Sequence, residues 1–159
     1  MNKIKIIRKI IPVIILGLIF LPACFRQKVV FQNQVCFQQK CIQVEVVQKE
    51  EDLRRGLQGR ASLDSNSGML FVFPESRRQG FWMKDTLIPL DMIWMDYSRR
   101  VVYTAQRVPP CLHDPCRTYT PDEEAMYVLE VNAGYAEILG IKEGAQCEFK
   151  LKDINRNSK

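Results

Sequence analysis

The sequence predicts an α+β domain: one compact unit built on a strongly curved, mainly antiparallel sheet, partly barrel-like, with two short helices. Three observations lead there. Short stretches of strand-like sequence outnumber helical ones, and the connections between them are tight and punctuated by Gly, Asp and Ser. The 159 residues, 47% of them hydrophobic, supply about one core once a leader is set aside.

The first 23 residues read as a secretory leader. Lys3, Lys5, Arg8 and Lys9 form its positive end, and Ile10 to Leu21 its apolar stretch, which at 12 residues falls short of the roughly 20 that a membrane-spanning helix needs. Leu21-Pro22-Ala23-Cys24 follows. Leu21 does not fit an ordinary signal-peptidase site, which wants small residues. The tetrad resembles instead the bacterial lipoprotein signal, in which the cysteine thiol receives diacylglycerol. Cys24 is therefore the expected lipidation site. Acyl chains at about 0.8 kcal/mol per buried CH₂ would anchor the mature chain to a membrane. The expectation is an exported, membrane-anchored lipoprotein facing the periplasm or cell exterior. Its parts are the leader at 1–23, a lipidated start with a first hairpin at 24–43, the main domain at 44–152 and a tail at 153–159.

After the leader, Lys28 to Phe37 and Cys41 to Gln48 form a hairpin. Ile42, Val44 and Val46 share one face, and Cys41, Gln43 and Glu45 share the other, with Cys36 on the face of Gln32 and Gln34. Both hairpin sulfurs are expected to face solvent. Glu50 to Gln58 reads as a helix ending at Gly59, with acidic residues at its start, Glu50 with Arg54 and Glu51 with Arg55 as i,i+4 pairs, and Leu53 with Leu57 as an apolar stripe. Ser62 to Gly68 is a turn-rich connector. Strands are predicted at Met69 to Phe73, Gly80 to Lys84, Asp91 to Asp96, Arg100 to Val108 and Ala125 to Val131. A short helix over Gly134 to Leu139 ends at Gly140, and Gly144 turns into the last strand.

Cysteine usage fits an oxidising compartment. Cys36 with Cys41 and Cys111 with Cys116 are two Cys-x₄-Cys pairs and predict disulfides, each contributing about 2 kcal/mol in the loop-entropy model. Directly opposed residues of an antiparallel hairpin lie about 4.5–5.5 Å apart, within a disulfide's reach. Cys147 alternates with Phe149 and Leu151 and is expected to point inward as a small hydrophobe.

Charge excludes one class of partner. Four of the 23 Lys and Arg lie in the leader, which leaves 19 against 18 Asp and Glu, a net charge of about +1 for the mature part. A nucleic-acid binder would need a concentrated basic face. Arg54-Arg55, Arg77-Arg78 and Arg99-Arg100 are separated pairs that read as solvated surface.

The block GFWMKDTLIPLDMIWMD from Gly80 to Asp96 follows GMLFVFP at Gly68 to Pro74. With GLQGR at Gly56 to Arg60, CLHDPC at Cys111 to Cys116 and VLEVNAG at Val128 to Gly134, it resembles the uncharacterised family called domain of unknown function 192. The resemblance spans roughly Val44 to Leu151. It implies a compact, β-rich, partly barrel-like domain and no particular reaction.

Phe81, Trp82, Met83, Ile93, Trp94 and Met95 supply core mass, because aromatic side chains bury large areas. The polar residues among them need partners or water. Trp82, Lys84, Asp85, Thr86, Asp91 and Trp94 are the candidate ligand-binding residues, with the acids and Lys84 on a rim and a tryptophan as a stacking wall for a sugar or other flat ligand. The favoured function is a noncatalytic envelope lipoprotein that binds a small polar ligand or an envelope protein, with no cofactor and no nucleic acid. Two alternatives stand beside it. Asp85 and Asp91 could act as the acid and base of a small hydrolase, since glycoside hydrolysis needs two carboxyls about 5–9.5 Å apart. Cys111, His113 and Cys116 could instead bind a soft metal, although their spacing matches no standard zinc signature. His113 is the sole histidine and there is no G-x-S-x-G, so serine-type catalysis is unsupported.

Overall fold

The computed structural model describes residues 33–152. The expected leader, the expected lipidation site Cys24, the first residues of the hairpin strand expected from Lys28 and the tail at 153–159 lie outside the described residues. Within them the chain runs β1 (Gln34–Phe37), β2 (Lys40–Val47), α1 (Glu50–Arg55), β3 (Ser67–Arg77), β4 (Phe81–Trp82), β5 (Leu90–Met95), β6 (Val101–Val108), β7 (Thr118–Tyr119), β8 (Ala125–Asn132), α2 (Tyr135–Leu139) and β9 (Cys147–Lys150).

Seven strands form one sheet in the order β6-β5-β8-β3-β2-β1-β9, and β4 pairs with β7 separately. Every pairing in the large sheet is antiparallel except β2 with β3, which is parallel because α1 carries the chain back to the same end. The sheet is therefore mixed. It also curls far enough for its two edges to touch at one end: the Val101 N–H donates to the Ala145 carbonyl at 2.8 Å, and the Cys147 N–H to the Arg99 carbonyl at 3.1 Å. The result is a half-barrel, as the sequence led us to expect.

Alternation divides the side chains of the central strands between two cores. Leu70, Ile93, Met95, Leu129 and Val131 face one side, where Ala136 of α2 joins them. Met69, Phe71, Met92, Trp94 and Val128 face the other, with Leu57 and Leu53 packed on them from the α1 side. All six residues of β5 are buried, which accounts for the unbroken LDMIWM.

Several boundaries differ from expectation. Helix α1 stops at Arg55, because Gly56 adopts φ 48°, and its N–H closes the helix on the Asp52 carbonyl. The shorter helix pairs Arg55 with Asp52 at 2.8 Å rather than with Glu51. Strand β3 extends to Arg77 through an irregular register after Val72. The pair β4–β7 was missed on its β7 side, since two residues carry no periodic signal.

Both expected disulfides are present and Cys147 is free and buried. Burial pushes the Cys147 thiol up to about 12, which keeps it a protonated core side chain. Cys36 corrects the hairpin argument. It is only 2% exposed, because β1 lies between β2 and β9 and its sulfur is flanked by Cys41 on one side and Glu148 on the other. Gly68 marks the closest approach of two central strands: a Cβ there would sit 2.6 Å from the Glu130 carbonyl oxygen, so only glycine lets β3 lie against β8 at this point.

Candidate functional site

A cavity of about 510 Å³ opens between α1 with its following turn, the end of β3, the Gln79–Trp82 segment and the face of the sheet. Its size falls in the ~300–1,000 Å³ range of small-molecule sites. Aromatic side chains form much of its wall. Phe81 meets Phe71 edge to face at 4.9 Å and Phe73 at 6.1 Å, and the buried Trp94 at 5.7 Å. Arg54, Arg55 and Arg77 stand at the mouth.

Two mostly buried polar residues border this space. Glu130, 4% exposed, sits on β8 between Met69 of β3 and Met92 of β5, whose side chains offer its carboxyl no donor. Gln79 is 7% exposed, and its side-chain Nε2 is buried with no acceptor. The Gln79 main chain is fixed from behind, since its carbonyl accepts the indole N–H of Trp94 at 2.8 Å.

Burial pushes the Glu130 carboxyl up to about 8 from an ordinary 4.5. Below pH 4.5 the folded and unfolded chains both hold this proton. Between 4.5 and about 8 the unfolded chain ionises while the folded one does not, so this residue lowers stability progressively; above about 8 both are ionised and the deficit is constant. Glu130→Gln should therefore gain stability over wild type as pH rises through that window, by at most about 1.4 kcal/mol per pH unit. Urea midpoints of the two proteins from pH 4 to 9 check this, and a gap independent of pH would contradict it.

The six residues singled out in the sequence separate into four places. Trp82, 49% exposed, and Thr86, buried with its N–H on the Met83 carbonyl, line the cavity. Lys84 and Asp85 lie outside it, against the disulfide loop. Lys84 Nζ donates to Asp114 at 2.6 Å, a contact that raises its pKa, and stands 5.8 Å from the Trp82 ring centre. Asp85 holds a left-handed turn at φ 56°, its N–H on the Cys111 carbonyl and its carbonyl on the Gly59 N–H. Asp91 and Trp94 are fully buried. Asp91 points to the α2 side of the sheet, where its two oxygens accept the Arg107 N–H at 2.7 Å and the Ala136 N–H at 2.9 Å. Trp94 is one wall behind Phe81 and does not meet the cavity.

This geometry corrects both alternatives. Asp85 is exposed and Asp91 is enclosed and engaged by two backbone N–H groups, so the two do not form a reachable acid and base pair. Cys111 and Cys116 are joined to each other, which takes their sulfurs out of metal ligation.

The motifs that carried the resemblance all fall within one matched segment: the family model DUF192, described as "Uncharacterized ACR, COG1430", matches residues 32–149. The chain belongs to the DUF192 family. It is 37% identical over 97 residues to a UPF0127 protein of Thermococcus gammatolerans, covering 58% of each chain. It is 35% identical over 83 residues to a UPF0127 protein of Thermococcus kodakarensis, covering 50% of this chain and 48% of that one. The chain thus spans about half the length of the curated relatives it matches. Among solved structures it resembles a "putative transcription regulator" from Sinorhizobium meliloti, with TM-score 0.66, 28% identity, and coverage of 74% of this chain and 91% of that one. A protein of unknown function from Novosphingobium aromaticivorans is similar with TM-score 0.66 and 30% identity over 73% and 82% of the two chains.

In this DUF192 chain the residues that sequence reasoning missed are Glu130 and Gln79. Glu130 was visible in principle. In MYVLEVN the residues flanking it are apolar on both strand faces, so a carboxyl there has nowhere wet to go. Gln79 carries no such signal, because it ends the polar run ESRRQ.

Proposed function

We propose that this protein is a noncatalytic envelope lipoprotein, held on a membrane by a lipid on Cys24, that binds a small organic ligand in the cavity beside α1. One observation carries the reading: Glu130, only 4% exposed, brings a carboxyl to an aromatic-walled cavity. A buried polar group left unsatisfied costs about 1–3 kcal/mol, a cost that a ligand bonded to the Glu130 carboxyl would remove. Phe71, Phe73 and Phe81 supply area for the ligand's apolar part, and Trp82 at the edge gives it a stacking surface. No His, Ser, Cys or Lys stands among the described lining residues, so Glu130 has no nucleophile or base of those kinds beside it, which favours binding over chemistry.

The leader and lipobox support the envelope location, and the two disulfides are compatible with an oxidising compartment.

Native mass spectrometry of the full chain, purified from its own membranes in mild detergent, tests the reading. Wild type should carry a small molecule that Glu130→Leu has lost, while the apolar near-isostere melts no lower than wild type. An empty wild-type protein, or equal retention by both, would contradict the binding role. Cys24→Ala should leave the membrane fraction; if it stays there, the anchor is elsewhere.

A further inference from the structure

Building on the reading of the cavity as a ligand site, we infer that it takes an organic ammonium: a small primary amine whose charged head is held by the Glu130 carboxyl and whose apolar body lies among the Phe71, Phe73 and Phe81 rings. The charges around the cavity leave one group unmatched. Arg54 pairs with Glu50 at 3.9 Å, Arg55 with Asp52 at 2.8 Å and Arg77 with Glu75 at 3.6 Å, so each arginine that lines the space already has a carboxylate beside it. Glu130 is the lining acid left over. Met69 and Met92, its partners on the two adjacent strands, are neutral, and Gln79 and Thr86, which also line the cavity, carry no charge. The counter-charge must come with the ligand.

Strand register sets that carboxyl beside the aromatic wall. Glu130 stands opposite Met69, and Phe71, two residues along β3 on the same face, is its diagonal neighbour, a separation of about 7–8 Å that long side chains bridge. Phe81 meets Phe71 at 4.9 Å and Phe73 at 6.1 Å, with the ring planes 88° and 86° apart. An ammonium bonded to Glu130 and seated against these rings falls within the ~6 Å over which a ring face attracts a cation. A hydroxyl in its place supplies a donor but no counter-charge, and a carboxylate repels the ionised acid.

The proton on Glu130 then reports the binding. Burial holds it on the carboxyl up to about pH 8, and the arriving ammonium releases it: the O–H proton leaves for solvent, and the carboxylate accepts the N–H bonds of the ligand. Below about pH 8 the apparent Kd should fall about tenfold per pH unit, following the ionised fraction, and level off above it. No histidine stands among the described lining residues to add a second titration in this window.

Phenethylamine, its neutral isostere 2-phenylethanol and the acid phenylacetate separate the possibilities by calorimetry on the full chain in lipid nanodiscs. Phenethylamine should bind at least about tenfold more tightly than the other two at pH 8, the margin expected of one charge-assisted contact. Its Kd should fall about tenfold from pH 6 to 7, with release of about one proton at pH 6.5, read from the dependence of the heat on buffer ionisation. Glu130→Gln, with folding checked by its urea midpoint, should lose about tenfold or more in phenethylamine affinity at pH 8 and release no proton. Amine binding with a flat pH profile in wild type would overturn the pairing with Glu130. Should the alcohol or the acid bind as tightly as the amine and depend on Glu130, the ammonium class is wrong while the cavity remains a ligand site. Binding of no probe, or binding that Glu130→Leu leaves unchanged, would overturn the ammonium class and the ligand site together.

Discussion

Asp91→Ala should destabilise the domain by roughly 2–4 kcal/mol, because a buried and a part-buried backbone N–H group lose their acceptor, at about 1–3 kcal/mol for the buried one and less for the other. The two groups hold distant parts of the chain. One is the N–H of Arg107, at φ 51° on β6, and the other is the N–H of Ala136 in the first turn of α2, whose N-cap Gly134 offers no side-chain cap. Asp91 from β5 thus caps a helix and fixes a strained residue with one carboxyl. A thermal melt should show a fall of roughly 10 °C, and a midpoint within a degree or two of wild type would mean that these bonds are dispensable. Asp85→Ala should differ sharply. Asp85 works through its backbone and its side chain is exposed, so replacing it affects mainly the left-handed turn.

Trp94→Ala is the second large change, expected to cost about 3–5 kcal/mol in urea denaturation. The indole is fully buried, packs on Phe81 at 5.7 Å and on Tyr103 at 5.2 Å, and its N–H holds the Gln79 carbonyl. Trp94→Phe separates packing from the hydrogen bond. It should cost about 1 kcal/mol in stability, yet by freeing the Gln79 main chain it should weaken ligand retention more than it weakens the fold. Equal stability of Trp94→Ala and wild type would remove the tryptophan from both roles.

The fold was legible where the chemistry is local. Short, largely apolar runs at Met69 to Phe73, Asp91 to Asp96 and Ala125 to Val131 placed the three central strands, and the Cys-x₄-Cys spacing gave both disulfides. It was less legible where long-range pairing decides. Nothing in Cys41 to Val47 encodes that β2 runs parallel to β3, and nothing around Cys36 encodes β9 as its second neighbour. The candidate site shows the same division. Sequence proximity grouped Trp82, Lys84, Asp85, Thr86, Asp91 and Trp94, but strand β5 sends Asp91 to one face of the sheet and Trp94 to the other. Only Trp82 and Thr86 meet the cavity, whose polar end comes from Glu130, almost fifty residues further on. A site assembled by the sheet cannot be found by reading neighbours along the chain.

A crystal structure of the full-length protein, taken from its own membranes without exchange of bound molecules, is the most direct measurement of this account. It should show density of a small organic molecule within hydrogen-bond distance of the Glu130 carboxyl, against the Phe71, Phe73 and Phe81 rings. A closed cavity, with Glu130 bonded to the protein itself, would contradict it.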